Sequence, residues 1–256
     1  TAFFLEATFL GVMLFGMNRV PAWVHIGATL LVAVGTLFSA FWILALISWM
    51  HTPAGQVMDG GALIAGDWMQ VIFNPSFPYR MTHMLLASGL TAAFVVAGLS
   101  AWRLLRASAD ASALRTLRTS VVVAAVIAPL QIFAGDLHGL NTLEHQPAKI
   151  AAMEALWNTE RGAPLVLFAI PNEEKRRNDF AIEIPKVASL ILTHDLNGEV
   201  KGIDAFAPDT PGAEQLAPPV APVFFAFRIM LALGVLMLAL AWTGAWLLRK
   251  DRAPPR

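Results

Sequence analysis

The chain alternates between long apolar runs and short polar breaks. Four runs are long enough for a helix to cross a hydrocarbon core, which takes about 20 residues. They cover residues 24–50, 81–105, 114–134 and 222–248, and a shorter, partial run covers 2–17. Backbone N–H and C=O groups find no partners in lipid, so each run is predicted to be a helix. Pro129 is expected to kink the run at 114–134, because it lacks an N–H for the ladder. The expected fold class is therefore all-α, a polytopic transmembrane helix bundle with one long extramembrane loop. The expected division is 1–134 for the partial and three complete spans and 135–221 for the loop. Residues 222–248 are then the last span and 249–256 a cytoplasmic tail.

Arginine placement sets the orientation, since short cytoplasmic loops carry the excess of Lys and Arg. Arg103, Arg106, Arg115 and Arg118 cluster around one connection, and Arg249, Lys250, Arg252 and Arg256 follow the last run. Both groups are expected in the cytoplasm, with Arg19 on the same side and residues 51–80 outside. The stretch 137–221 then lies outside, and it holds 12 of the 18 acidic residues. Its end, APDTPGAEQLAPPVAP, reads as an extended linker. HTPAG and Gly60–Gly61 read as turns. The chain opens TAFFLEATFL, without Met and already apolar, so it is expected to be a fragment starting inside a helix.

Composition supports a membrane protein: 57% hydrophobic, 14% charged, mean hydropathy +0.60. Net charge is zero, which gives no reason to expect a nucleic-acid partner. The absence of cysteine rules out disulfides, iron–sulfur clusters, thiolate-ligated haem and covalently attached haem within this chain.

Polar side chains inside apolar runs raise functional hypotheses because they are costly in lipid. His83 and Met230 both lie toward the outer ends of their runs, and Arg228 is two residues before Met230. An imidazole, a thioether and a guanidinium at matched depth suit a haem with His and Met axial ligands. The plainer readings are a hydrogen-bonded interfacial histidine, a packing methionine and a snorkelling arginine. Glu6 is near mid-membrane and reads as a proton-relay acid or a buried hydrogen-bonded one, with Ser39 and His25 as weak extensions. In QPAKIAAMEALW, Lys149 and Glu154 project about 140° apart on a helix, wide enough to grip a ring from two sides. The plainer reading there is an interfacial helix with solvated charges. Asp136 is expected to end the helix before the loop.

The strings FFLEATFLG, FSAFWILALISWMHTPAG, FNPSFPYRMTHMLLASG, GDLHG, QPAKIAAMEALW, FAIPNEE, FAIEIP and FAFRIM resemble subunit I of the cytochrome bd-type ubiquinol oxidases along essentially the whole chain. The loop is similar to the short-loop, cyanide-insensitive branch. The resemblance implies an enzyme of the bacterial inner membrane that oxidises ubiquinol at the outer face. Electrons would pass through low-spin haem b to high-spin haem b and haem d (or a second haem b), reducing dioxygen to water and contributing to the proton motive force. It implies a second oxidase subunit and membrane lipid as partners. By position, it implies that His83 and Met230 ligate the low-spin haem and that Arg228 stabilises its reduced form. It gives Lys149 and Glu154 to quinol oxidation, Glu6 to the high-spin site, and Ser39 and His25 to proton delivery. The family's early histidine ligand, a glutamate just upstream of Glu6, and the segments after its seventh helix have no counterpart here. The competing expectations are a membrane cytochrome b that only relays electrons, and a haem-free scaffold or transporter.

Overall fold

A computed structural model of the protein describes residues 2–107, 109–206 and 218–249. Most of the proline-rich linker and the tail beyond Arg249 lie outside the described residues. The chain forms two compact units, one ending at Met81 and one starting at Thr82.

In the first unit, α1 (Ala2–Phe15) and α2 (Ala22–His51) lie antiparallel, with Glu6 opposite Ser39 and Met13 opposite His25. Gly16 ends α1 where a Cβ would lie 2.3 Å from the Val12 carbonyl oxygen. After α2 comes a hairpin of β1 (Gln56–Asp59) and β2 (Ala62–Ala65). Its turn residues Gly60 and Gly61 have φ of 54° and 83°, the positive values that a two-residue hairpin turn requires. A short helix, α3 (Trp68–Ile72), is capped by the Asp67 carboxylate, which accepts from the Met69 and Gln70 amides. Asn74 then donates to the Ala45 and Val71 carbonyls and accepts from the Thr52 hydroxyl. That side chain ties the last turns of α2 to the end of α3. Phe41, Phe73 and Phe77 close the junction edge to face.

The second unit is built on α4 (Phe77–Arg106) from Thr82 onward, α5 (Ala111–His145) and α8 (Val220–Leu248). They meet through Leu90 and Ala93 of α4, Ala124 and Ala128 of α5, and Ala241 of α8. Small residues there let the α5 and α8 backbones approach, as packing in lipid favours. Asp110 caps α5 through the Ala113 amide and pairs with Arg103 at 2.6 Å.

α5 runs unbroken through Pro129. Proline deprives the carbonyl four residues earlier of its donor, and the indole N–H of Trp242 on α8 supplies one, reaching the Ala125 oxygen at 3.0 Å. An interhelical bond thus replaces a lost intrahelical one. The helix also continues past Asp136 to His145, so the expectation that Asp136 ends it is corrected. DLHGLNTLEH is polar but holds no proline; the stop comes only at Pro147, the first residue of α6 (Pro147–Glu154). At 35 residues, or about 52 Å, α5 is longer than a hydrocarbon core and carries its polar end beyond it.

Between α6 and α8 the loop contains β-structure that the all-α reading omits. β4 (Leu165–Asn172) and β5 (Arg177–Ile184) form an antiparallel hairpin, and β3 (Glu160–Arg161) pairs with β6 (Glu199–Val200). A short helix, α7 (Val187–Thr193), lies between them in sequence. Val166 and Ala169 of β4 face inward to a core with Ala151, Ala152, Trp157 and Phe224. The loop is thereby fixed to the first two turns of α8. Helices still dominate the chain, and four of them, α2, α4, α5 and α8, are long and apolar enough to cross a membrane.

Candidate functional site

Two of the chemistry-bearing residues of the second unit, Glu154 and Arg228, meet near the start of α8. Glu154 ends α6, where Ala155 adopts a left-handed cap with φ 52°. That turn sends the chain back and leaves the carboxylate facing α8. Arg228, two turns into α8, donates from Nη2 to Glu154 Oε2 at 2.6 Å and from Nη1 to Oε1 at 3.5 Å. Its Nε donates to the Val166 carbonyl of β4 at 2.6 Å. Both side chains are about nine-tenths buried, and the guanidinium lies 5.0 Å from the Phe224 ring. A forked arginine–carboxylate pair is the strongest geometry for such a contact. Of the two sequence readings for α6, solvated charges do not describe Glu154. Lys149, one turn from the start of the same helix, is half-buried.

Met230 follows Arg228 by two residues and so points about 200° around the helix from it. Its side chain is half exposed, away from the ion pair. His83 lies near the start of α4, half-buried. Its Nε2 is 2.9 Å from the Gln131 amide nitrogen, and its ring is 5.7 Å from that of His138. Gly135 leaves the imidazole room: a Cβ there would stand 3.4 Å from His83 Nε2. Gln131, Gly135 and His138 follow one another at i, i+4 and i+7 of α5, one continuous face. Gln131 escaped the sequence reading, although that spacing was available as a signal. Its Oε1 is buried without a hydrogen-bond partner, an orphan of the kind that marks a place for a further group.

In the first unit, the Ser39 hydroxyl donates to Glu6 Oε1 at 2.8 Å, so these two residues meet. His25 instead bonds the Met13 carbonyl at 2.9 Å. It stands 14 residues from Ser39 on α2, about 21 Å along the axis, and does not join the Glu6–Ser39 contact. Asp136 is exposed on α5.

An imidazole on α4, beside an orphaned buried amide, and a thioether on α8 are each a side-chain type that haem iron accepts as a ligand. In the loop, burial and opposing hydrogen bonds raise different questions. Glu160 is pushed above its ordinary value by partial burial and then by the facing Glu183 carboxylate. Asp179 is held low by the Asn172 amide and by Arg177.

In fold this is a polytopic bundle with four helices long and apolar enough to cross a membrane. The family model for cytochrome bd terminal oxidase subunit I matches residues 1–254, and the chain belongs to that family, whose members reside in the bacterial inner membrane. It is 31% identical to the cytochrome bd ubiquinol oxidase subunit 1 of Bacillus subtilis, over 98% of this chain and 54% of that protein. It is 36% identical to the cytochrome bd-II ubiquinol oxidase subunit 1 of Escherichia coli, over 82% of this chain and 41% of that one. The solved bd oxidase of Geobacillus thermodenitrificans superposes with a TM-score of 0.80 at 29% identity, covering 98% of this chain and 58% of that one. The chain spans about half the length of the curated relatives it matches.

Proposed function

We propose that this chain is the quinol-oxidising part of a terminal oxidase subunit I. It takes two electrons and two protons from ubiquinol at the outer face of the membrane and serves the reduction of dioxygen to water. The observation that carries this reading is the burial of Glu154 against Arg228 at the junction of loop and membrane helix. A quinol arrives from the bilayer and must release protons toward water, so its oxidation belongs where the loop meets a membrane helix.

Glu154 and Lys149 are the groups assigned to the ring oxygens. The carboxylate accepts a hydroxyl proton, and the ammonium donates to the opposite oxygen, so the two hold the ring between them. Arg228 fixes the Glu154 carboxylate and keeps a positive charge at the site. His83 and Met230 are the residues that would hold a low-spin haem b, with Gln131 and His138 bordering the imidazole. When bound, this haem and the high-spin haems of the whole subunit supply the one-electron carriers and the oxygen-reducing centre. Glu6, with Ser39 donating to it, holds a proton within the membrane for delivery toward dioxygen. Proton release outside and uptake from inside contribute to the proton motive force.

The reading is tested by the reduced-minus-oxidised spectrum of the complete oxidase. His83→Ala is expected to remove the low-spin band. A full low-spin band in that variant contradicts the assignment.

A further inference from the structure

Away from the loop, α5 and α8 enclose a recess of about 490 Å³ at their arginine-bearing ends. We propose that this recess binds an anionic glycerophospholipid.

Its walls follow from helix spacing. Arg118, Val121 and Val122 of α5 stand at i, i+3 and i+4, and Trp242, Trp246 and Arg249 of α8 stand at i, i+4 and i+7. Each set is one helix face. The helices are antiparallel, so Arg118 and Arg249 come to the same rim, and the valines and indoles form the apolar floor. The walls are held in place from below. Trp242 is pinned to the Ala125 carbonyl that Pro129 leaves unsatisfied. At Gly244 a Cβ would meet Val121 Cγ1 at 3.1 Å, so the helices are in close approach there.

The rim lies at headgroup depth. Residues 229–248 are twenty in a row without a charge, and Arg249 ends them, which matches the thickness of a hydrocarbon core. The recess is lined by two arginines and no acidic residue, and Asp110 at the start of α5 is paired with Arg103. Two guanidinium groups above two indoles and two valines ask for an amphipathic anion. A phosphate bound at the rim takes charge-assisted hydrogen bonds from the arginines, while its acyl chains run down the apolar floor. Trp246, 68% exposed, is the side chain those chains would cover. Basic pockets between membrane helices at the cytoplasmic side recognise anionic headgroups in this way. A free phosphate shares the headgroup chemistry but leaves the floor unused.

The test uses the complete oxidase in nanodiscs of equal phosphatidylglycerol and phosphatidylcholine, counting phospholipid retained after gel filtration by native mass spectrometry. The expected result is about one phosphatidylglycerol kept per chain, with about a tenfold preference over phosphatidylcholine. The double variant Arg118→Ala, Arg249→Ala loses that preference, whereas Arg118→Lys, Arg249→Lys keeps part of it. Trp246→Ala weakens retention without changing the headgroup preference. Equal retention of both lipids by the unaltered protein, or unchanged preference in the alanine double variant, overturns the proposal. So does complete displacement of the lipid by millimolar inorganic phosphate, which reduces the recess to an anion site.

Discussion

Glu154 and Arg228, 74 residues apart in sequence, meet at 2.6 Å in a pocket that hides about nine-tenths of each side chain. The pair joins the end of α6 to the second turn of α8, and the Val166 carbonyl completes the guanidinium's bonding. Sequence reading placed Glu154 with quinol and Arg228 with haem. Their contact brings together two residues to which the resemblance gives separate roles.

Removing one partner of a buried ion pair leaves the other uncompensated, which costs about 3 kcal/mol. Glu154→Ala and Arg228→Ala are each expected to destabilise the complete protein by about that amount. The double alanine variant should lose less than the sum, because the second change removes the stranded charge. Chemical denaturation of the four proteins in detergent checks this. Additive losses would show that the pair is not coupled.

The haem ligands are tested by paired substitutions. Met230→Leu keeps volume and apolarity but cannot ligate, so the low-spin band should be lost or broadened while the protein folds normally. Gln131→Leu, which removes the amide beside His83, should shift the position or midpoint potential of that band without abolishing it. Optical redox titration distinguishes the two. An unchanged band in Met230→Leu would remove Met230 from the ligand set.

The helical part of this architecture was legible because apolar runs of bilayer length leave a backbone no alternative to a helix. All five runs are helices; four agree within about four residues, and α5 continues 11 residues beyond the run at 114–134. The Gly60–Gly61 turn was equally legible, since only glycine takes positive φ at both turn positions without strain. The β4–β5 hairpin was missed for a physical reason. LVLFAI and FAIEI are too short and too apolar to be told from buried helix by periodicity alone. Two register shifts further disturb their alternation. The end of α5 was misread because polarity was taken as a helix stop, when only Pro147 supplies one. Of the site, the residue types were readable one by one. Which of them meet was not, because the Glu154–Arg228 and His83–Gln131 contacts depend on helix packing and on the turn at Ala155.

Within the first unit, Glu6→Gln preserves shape and the bond from Ser39 but removes the titratable proton. In the complete oxidase it is expected to slow dioxygen reduction about a hundredfold, the lower end of the range for a lost proton-transfer group, with the low-spin band intact. Ser39→Ala should have a smaller effect in the same direction. Oxygen-electrode turnover checks both, and wild-type rates in Glu6→Gln would leave the residue a packing group.

The loop offers a pH test with opposite signs. Glu160 has its folded value raised by burial and by Glu183. Its ionised form therefore weakens the fold, fully above the raised value and not at all below the ordinary 4.5. Glu160→Gln is expected to stabilise at pH 7 and to be neutral below that value. The gain stays well under ~1 kcal/mol because water screens the pair. Asp179, lowered by Asn172 and Arg177, contributes stability above the ordinary carboxyl range that is lost as pH falls through its lowered value. Asp179→Asn should therefore destabilise at pH 7. Thermal melts at the two pH values check both signs, and a destabilising Glu160→Gln at pH 7 would contradict the first.

The most direct measurement of quinol oxidation at the α6–α8 junction is stopped-flow reduction of the low-spin haem by ubiquinol in the complete Glu154→Gln oxidase. Dithionite should give the full reduced spectrum, showing that the haem is in place. Reduction by ubiquinol should be slowed by about a hundredfold or more, the range expected when a general base is lost. A wild-type rate of haem reduction by ubiquinol, with the same full dithionite spectrum, would contradict quinol oxidation at Glu154.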